Sequence, residues 1–445
     1  MRGGLNEAST FAQAWNTSDV GRTNGGSSKL LVLARFCLCL TVLVSALYLM
    51  QRYATFPFSA GGRFVLIAVT LALVLLAEWR GFIRMPIGLV LLGLSVGWAG
   101  VHTYLNFGPD LSIAATSRFA NVMVIAPLAA LLFVSRKSLK VLFLIYLIVF
   151  SAAFASLLYQ YFGGSLATLV QNYIAIRADL VRHMTIVGEP NVGGMLAVLG
   201  FIIGISVPCK LPMSAATAGL ATAFAIMTLS KGAVLGICFA SLTLFLVSPA
   251  EKRVDLVFRG VVGGLVGVGF VLLIGADAYL VAAVKSVLGQ VKGEPSAITD
   301  FAHRQVGFWP DLDYTGSPIS SILTVLFGSS FGVAGSAAYE ILGDKSDVVL
   351  PHNSYLEMMM TGGVVMLGSM IYLMVGAFRN LISEARRNSS AEVRCAIVCL
   401  MMLACWMLIY PVVYEPVTGA LLWSLIGYGH RIPNPSPDFR ERNTV

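Results

Sequence analysis

The chain has 445 residues, of which 57% are hydrophobic and only 12% are charged, and its mean hydropathy is +0.82. This composition excludes a soluble globular domain and is typical of a polytopic membrane protein. The net charge of +8 is not accompanied by a basic patch with interleaved aromatic residues, so nucleic-acid binding is not expected.

Twelve apolar segments are long enough to cross a bilayer, which requires about 17 to 25 residues. They lie near 30–50, 63–79, 85–104, 118–134, 139–162, 191–209, 213–229, 232–248, 258–281, 353–378, 394–413 and 415–430. The predicted fold class is therefore an all-α polytopic membrane protein with about twelve transmembrane helices. Residues 1–29 are predicted to form a retained, disordered tail, 30–281 helices 1–9, 282–352 one long outer loop, 353–430 helices 10–12, and 431–445 a second tail.

The distribution of basic residues predicts the orientation. If the N-terminus is cytoplasmic, twenty of the thirty Lys and Arg residues fall on the inner side. The positive-inside rule then places both termini in the cytoplasm. All seven cysteines lie in or near predicted spans, which indicates neither a disulfide framework nor a zinc site.

Three predicted helix starts on the outer face are unusually polar: Gly188-Glu189-Pro190-Asn191, Ser230-Lys231-Gly232 and Pro351-His352-Asn353. A helix N-terminus carries partial positive charge and binds anions such as phosphate. Further cations and histidines belong to the same face, at Arg177, Arg182, His183, His303 and Arg304. We therefore expect this surface to be able to bind a diphosphate.

Each of these residues also has a structural interpretation. Ser354-x-x-Glu357 has the spacing of a capping box, which would satisfy backbone donors of the first helical turn. His352 is not needed for capping, and a neutral histidine beside an anion site can act as a base. The other charged residues could anchor helix ends or remain solvated; these are Arg177, Arg182, Glu189, Lys231 and Glu415.

Four elements occur in a recognisable order and spacing: Gly188–Gly194, Leu229–Ala233, His303-Arg304 with Trp309 and Phe327-Gly328, and Pro351–Leu356 with Gly362-Gly363. Together they resemble the bacterial O-antigen ligase and Wzy-type polymerase family. The resemblance covers roughly residues 170–380. Its most specific part is the His-Asn-Ser-Tyr-Leu element that closes the long loop.

The resemblance implies a GT-C-like membrane glycosyltransferase of the bacterial inner membrane whose long loop is periplasmic. Such an enzyme transfers glycan from an undecaprenyl-diphosphate carrier to an acceptor hydroxyl, without a metal, a nucleotide sugar or another cofactor. Carried onto this chain, the resemblance makes His352 the residue that activates the acceptor and makes Arg182, Arg304 and Lys231 the ligands of the diphosphate. Asn353, Glu189 and Asn191 would support them, and Arg177 is the alternative to Arg182.

Several functions are compatible with these residues. The resemblance favours a polymerase of O-antigen, capsule or exopolysaccharide, with a ligase that transfers glycan to lipid A core as the alternative. It suggests as partners the lipid-linked donor, a glycan or lipid A core acceptor, the bilayer, a flippase and a chain-length regulator. A secondary transporter would instead have charged residues inside its spans and broken helices in both halves. A non-catalytic scaffold is a further alternative.

Overall fold

The computed structural model describes residues 25–47, 60–83, 85–166, 175–207, 210–290, 318–331, 353–388, 390–413 and 415–431, and it is mostly helical. The helices are α1 (Gly25–Ala46), α2 (Ala60–Ile83), α3 (Ile87–Phe107), α4 (Pro109–Met123), α5 (Ile125–Leu132), α6 (Arg136–Tyr161), α7 (Pro190–Ser206), α8 (Leu211–Met227), α9 (Lys231–Val247), α10 (Ala250–Leu273), α11 (Asp277–Val287), α12 (Pro318–Phe327), α13 (Ser354–Asn388), α14 (Ala391–Trp406) and α15 (Pro416–Gly429). Two short strands, β1 (Ala175–Arg177) and β2 (Leu180–Arg182), lie between α6 and α7.

Each predicted apolar segment falls on one helix, with two exceptions: 118–134 falls on α4 and α5, and 258–281 falls on α10 and the start of α11. By length and composition, six segments of the described chain can cross a membrane: α1, α3, α4 with α5, α6, α10 and α13. Helices α7, α8 and α9 and residues 62–77 of α2 are apolar but shorter. The apolar helices indicate a multi-pass membrane protein, while the count of twelve crossings stays a prediction.

Some predicted boundaries were wrong. Helix α1 begins at Gly25, so residues 25–29 are helical and do not belong to a disordered tail. Helix α4 begins at Pro109, after Gly108 with φ of 87°, and Arg118 therefore lies inside a helix instead of at its start. A glycine at positive φ followed by a proline at the first helical position ends one helix and begins the next.

The predicted long outer loop contains two short helices among its described residues. One is α12, at Pro318–Phe327. The other is α11, which begins at Asp277. The helix therefore starts before the predicted loop begins.

Two helices are buried on all sides and form the centre of the bundle. Almost every side chain of α7 and α15 is buried, as expected for helices that are apolar around their whole circumference. Helix α10 lies at the periphery, where many of its apolar side chains are exposed. It packs on α8 through Gly263 and Gly267, because a side chain at either position would collide with α8. Small residues four apart allow this close approach in membranes.

The helix bundle has two ends, and we name each after a buried charged residue that lies there. The Arg182 end contains the N-termini of α7, α9, α13 and α15. The Glu384 end contains the C-terminal part of α13 and the N-termini of α6, α10 and α14. Of the described residues predicted for the outer face, Arg177, Arg182, Asn191, Lys231 and Asn353 lie at the Arg182 end, and Arg136, Lys140 and Arg394, predicted for the cytoplasm, lie at the Glu384 end.

Candidate functional site

A short hairpin positions two arginines at the Arg182 end. Strands β1 and β2 are antiparallel, with Ala175 opposite Arg182 and Arg177 opposite Leu180. Alternate residues of a strand share one face, so Arg177 and Arg182 lie on the same face of the hairpin. The turn residues Ala178 and Asp179 both have positive φ, 50° and 62°, as a tight two-residue hairpin turn requires.

Both arginines bind the turn that joins α8 to α9. The Nε atom of Arg182 donates to the carbonyl oxygen of Thr228 at 3.0 Å, and a terminal nitrogen of Arg177 donates to that of Leu229 at 2.8 Å. Leu229 has φ of 51°, which lets consecutive carbonyls face the hairpin. Lys231 follows as the first residue of α9 and is buried. Three cationic side chains are therefore tied to one turn.

The start of α7 supplies the other partner of Arg182. The second terminal nitrogen of Arg182 donates to Oδ1 of Asn191 at 2.9 Å. Gly194 allows this helix to approach α9, because a Cβ atom there would lie 2.8 Å from that of Ser230. Glu189 precedes the helix. Desolvation raises the pKa of the Glu189 carboxyl, and the neighbouring Arg182 guanidinium opposes this rise.

Tyr279 of α11 ties the hairpin to the rest of the bundle. Its hydroxyl donates to the carbonyl oxygen of Val181 at 2.7 Å and lies 3.4 Å from Nε2 of His183. Burial lowers the pKa of His183, which favours the neutral imidazole. The hairpin is thus fixed from both sides, by α11 and by the α8–α9 turn.

The start of α13 is capped by Asn353, and the prediction that Ser354 caps it was wrong. Oδ1 of Asn353 accepts hydrogen bonds from the backbone N–H groups of Tyr355 at 3.0 Å and Leu356 at 3.1 Å. Ser354 is the first residue of the helix, and its hydroxyl donates to the carbonyl oxygen of Tyr410 at 2.9 Å. Asn353 and Ser354 can both cap a helix, but the Ser354 hydroxyl is used by the Tyr410 carbonyl, so Asn353 satisfies the free backbone donors.

Helix α13 is broken one third of the way along, at Gly363. The residue has φ of 67° and ψ of −165°, a conformation that is essentially restricted to glycine. The kink receives the C-terminal end of α12, because a Cβ atom on Gly363 would overlap the Leu326 carbonyl group. Ser329, just beyond α12, donates from its backbone N–H to the carbonyl oxygen of Met360 at 2.7 Å. The segment from Ser354 to Gly362 is thus a short half-helix with its N-terminus at the Arg182 end.

The turn after α14 contacts both the start of α13 and the residues around Glu189. Ser354 also donates from its backbone N–H to the carbonyl oxygen of Met407 at 2.7 Å. Glu189 and Glu415 both lie close enough to Tyr410 to interact with it electrostatically. Glu415 caps α15, accepting from the N–H of Thr418 at 2.7 Å and from its hydroxyl at 2.8 Å. Of the two interpretations given for Glu415, anchoring a helix end is therefore the one that the contacts support.

The structure brings together Arg182, Lys231, Asn191 and Glu189 and joins them to the start of α13 at Asn353. His352 and Arg304 lie outside the described residues, so the convergence of Arg182, Arg304 and His352 stays a prediction. Arg177 and Arg182 both reach the same turn, and which of them binds the diphosphate stays a prediction. Sequence reasoning missed the hairpin, whose turn lacks the usual glycine or asparagine.

No protein-family model and no curated protein matches this chain. The geometry provides buried and half-buried cations fixed by neutral oxygens, and the N-termini of α7 and α9 and of the α13 half-helix at the same end. Such an arrangement can bind a multiply charged anion such as a diphosphate.

Proposed function

We propose that this protein is a membrane glycosyltransferase that polymerises glycan from a polyprenyl-diphosphate-linked donor. The observation that carries the proposal is the pair Arg177 and Arg182, both bound to the α8–α9 turn beside Lys231. Guanidinium groups match phosphate oxygens and keep their charge at all physiological pH values. Hydrogen bonds to the oxygens of Thr228 and Asn191 orient the buried guanidinium group of Arg182.

The proposed chemistry is a single inverting displacement at the anomeric carbon. The acceptor hydroxyl oxygen forms the new bond to that carbon while the bond to the diphosphate oxygen breaks. The diphosphate departs with the electron pair, and its negative charge is stabilised by Arg182, Lys231 and, from the sequence resemblance, Arg304. The proton of the acceptor passes to the imidazole of His352, which acts as a general base.

The location of buried charge favours this proposal over a transporter. Among the described helices, the buried charged side chains lie near helix ends: Arg63, Lys231, Glu357, Glu384, Glu392 and Arg394. A transporter is expected to hold charged groups near the middle of its spans. Two half-buried arginines, Arg35 inside α1 and Arg118 inside α4, are exceptions. The break at Gly363 lies in the second half of the chain and faces α12.

The test is a comparison of lipid-linked and surface glycans in a deletion strain complemented with different variants. We expect single repeat units to accumulate on the carrier in the deletion strain and in strains with His352→Ala or Arg182→Lys. Arg379→Lys, which changes an exposed arginine at the Glu384 end, serves as the matched control and should restore long polymer.

The other outcomes are distinct. Long polymer that accumulates on the carrier without reaching lipid A would indicate the ligase. Unchanged glycans in the deletion strain would contradict a role in glycan transfer altogether. Full complementation by His352→Ala, with its level in the membrane unchanged, would leave a non-catalytic scaffold as the better explanation.

A further inference from the structure

A cavity of about 320 Å³ opens at the Glu384 end, opposite the proposed glycan site. It lies between the C-terminal ends of α7 and α9 and the first turns of α10 and α14. Its polar lining includes Ser248, Glu251, Lys252, Asp255, Arg259 and Arg394. No step of the proposed glycan transfer uses these residues.

Three lining side chains are buried and polar: Ser206, Ser248 and Arg394. Ser248 is 3% exposed and Arg394 is 5% exposed. The hydroxyl oxygen of Ser248 has no hydrogen-bond partner in the described structure. A buried hydroxyl without a partner costs about 1 to 3 kcal/mol, so this donor is expected to bind something that enters the cavity. The unpartnered hydroxyl therefore points to a ligand with acceptor oxygens.

The charges around the cavity favour an anion. Lys252, Arg259 and Arg394 contribute three cations, and the N-termini of α10 and α14 add partial positive charge. Asp255 already binds Arg259, at 2.9 Å. Glu251 is exposed in the first turn of α10, where water screens it. A hydroxyl donor, a guanidinium, an ammonium and two helix N-termini are the groups that bind phosphate.

We propose that this cavity binds the phosphate group of a phosphate ester, with Ser248, Lys252 and Arg394 as its ligands. The phosphate belongs either to a phospholipid headgroup or to a soluble phosphate ester. The cavity lies at the ends of apolar helices, and α10 exposes apolar side chains directly beyond it, among them Val257, Val261 and Leu265. Basic pockets between helix ends on the cytoplasmic side bind anionic headgroups. The position therefore favours the lipid.

The test is native mass spectrometry of the full chain released from detergent micelles, titrated with three probes. Phosphatidylglycerol and diacylglycerol with the same acyl chains differ in the phosphoglycerol headgroup, and glycerol phosphate provides the phosphate without the chains. We expect phosphatidylglycerol to bind more tightly than diacylglycerol, and glycerol phosphate to compete weakly.

Three variants locate the binding. Ser248→Ala should weaken phosphatidylglycerol binding about tenfold, because it removes a hydrogen bond to a charged group. Lys252→Gln should weaken it about fivefold through the loss of one charge. Arg379→Gln removes an exposed cation of the same end outside the cavity and should change binding by less than about twofold. Ser248→Ala should not lower the unfolding temperature, because it removes an unpartnered buried hydroxyl.

Two results would overturn the proposal: equal binding of phosphatidylglycerol and diacylglycerol together with no binding of glycerol phosphate, or unchanged binding in both Ser248→Ala and Lys252→Gln. If glycerol phosphate binds with the same sensitivity to these variants and phosphatidylglycerol does not, the phosphate site stands and its ligand is a soluble ester. These outcomes are independent of glycan transfer at the Arg182 end.

Discussion

The two ends of the molecule hold their buried charges in different ways. At the Glu384 end, the buried carboxylate of Glu384 binds a terminal nitrogen of Arg431 at 2.7 Å and lies 3.6 Å from Nε of Arg136. Nearby, Lys140 pairs with Glu392 at 3.2 Å. These contacts join α6, α13, α14 and the residues after α15. These pairs of opposite charge connect helices.

At the Arg182 end, the described hydrogen bonds of the arginines go to neutral oxygens. Arg182 donates to Thr228 and Asn191, and Arg177 donates to Leu229. Such bonds fix the direction of a guanidinium group, and the neighbouring Glu189 carboxyl lies close enough to Arg182 to interact with its charge. The Glu384 pairs therefore serve cohesion between helices, whereas the contacts of Arg177 and Arg182 serve to orient cations.

The largest effect is expected at the broken helix of the Arg182 end. Gly363→Ala forces a side chain into a backbone conformation reserved for glycine and into the Leu326 carbonyl group. We expect a loss of about 4 kcal/mol in the free energy of unfolding. The matched control is Gly368→Ala in the same helix, where an added Cβ atom meets nothing and a gain of about 0.5 kcal/mol is expected. Chemical denaturation in detergent micelles measures both, and equal stabilities would contradict the strained kink.

The next largest effect is expected at the Glu384 end, where ion pairs hold neighbouring helices together. Glu384→Gln leaves Arg431 and Arg136 facing a neutral group, and we expect a loss of about 3 kcal/mol in the free energy of unfolding. The control, Asp255→Asn, breaks an exposed pair within one helix, with Arg259, and should cost no more than about 0.5 kcal/mol. Glycan transfer per folded molecule should be unchanged in Glu384→Gln. A large loss of transfer without a loss of stability would reverse the roles assigned to the two ends.

A third substitution changes the Arg182 end without removing charge. Arg182→Lys keeps the cation but loses the fork that reaches Thr228 and Asn191 together. We expect the rate of glycan transfer by purified protein in liposomes to fall about hundredfold, or about 2.7 kcal/mol in the activation free energy. Arg431→Lys is the matched control at the Glu384 end and should keep the wild-type rate. A full rate in Arg182→Lys would remove the main support for a diphosphate site.

Much of this architecture follows from the sequence because hydropathy depends on composition over a whole helix. Every predicted apolar segment corresponds to a helix, and the polar helix starts at Asn191, Lys231 and Asn353 lie at one end as expected. The contacts between distant segments could not be predicted. The turn at Leu229 accepts hydrogen bonds from a hairpin some fifty residues earlier, and only the fold brings them together. Gly363 belongs to the Gly362-Gly363 motif of the sequence analysis. The need for glycine at this position arises only from the contact with the end of α12.

The capping error shows the limit of a local motif. Ser354 and Glu357 have the spacing of a capping box, yet Asn353 performs the cap. The sequence offers two adjacent residues that can cap a helix, and tertiary contacts decide between them. Here the carbonyl oxygen of Tyr410 takes the Ser354 hydroxyl.

The smallest effect is expected from the loss of one serine hydroxyl in α13. Two such substitutions compare a hydrogen bond to another segment with one inside the helix. Ser354 is completely buried, and Ser354→Ala leaves the Tyr410 carbonyl without that donor, so we expect a loss of about 1 kcal/mol in the free energy of unfolding. Ser369→Ala is the matched control. The hydroxyl of Ser369 donates to the carbonyl oxygen of Val365 one turn earlier, which weakens the helix slightly instead of joining it to another. Its loss should be within about 0.3 kcal/mol of zero. If both variants lose the same stability, the contact with Tyr410 does not hold the half-helix against the end of α14.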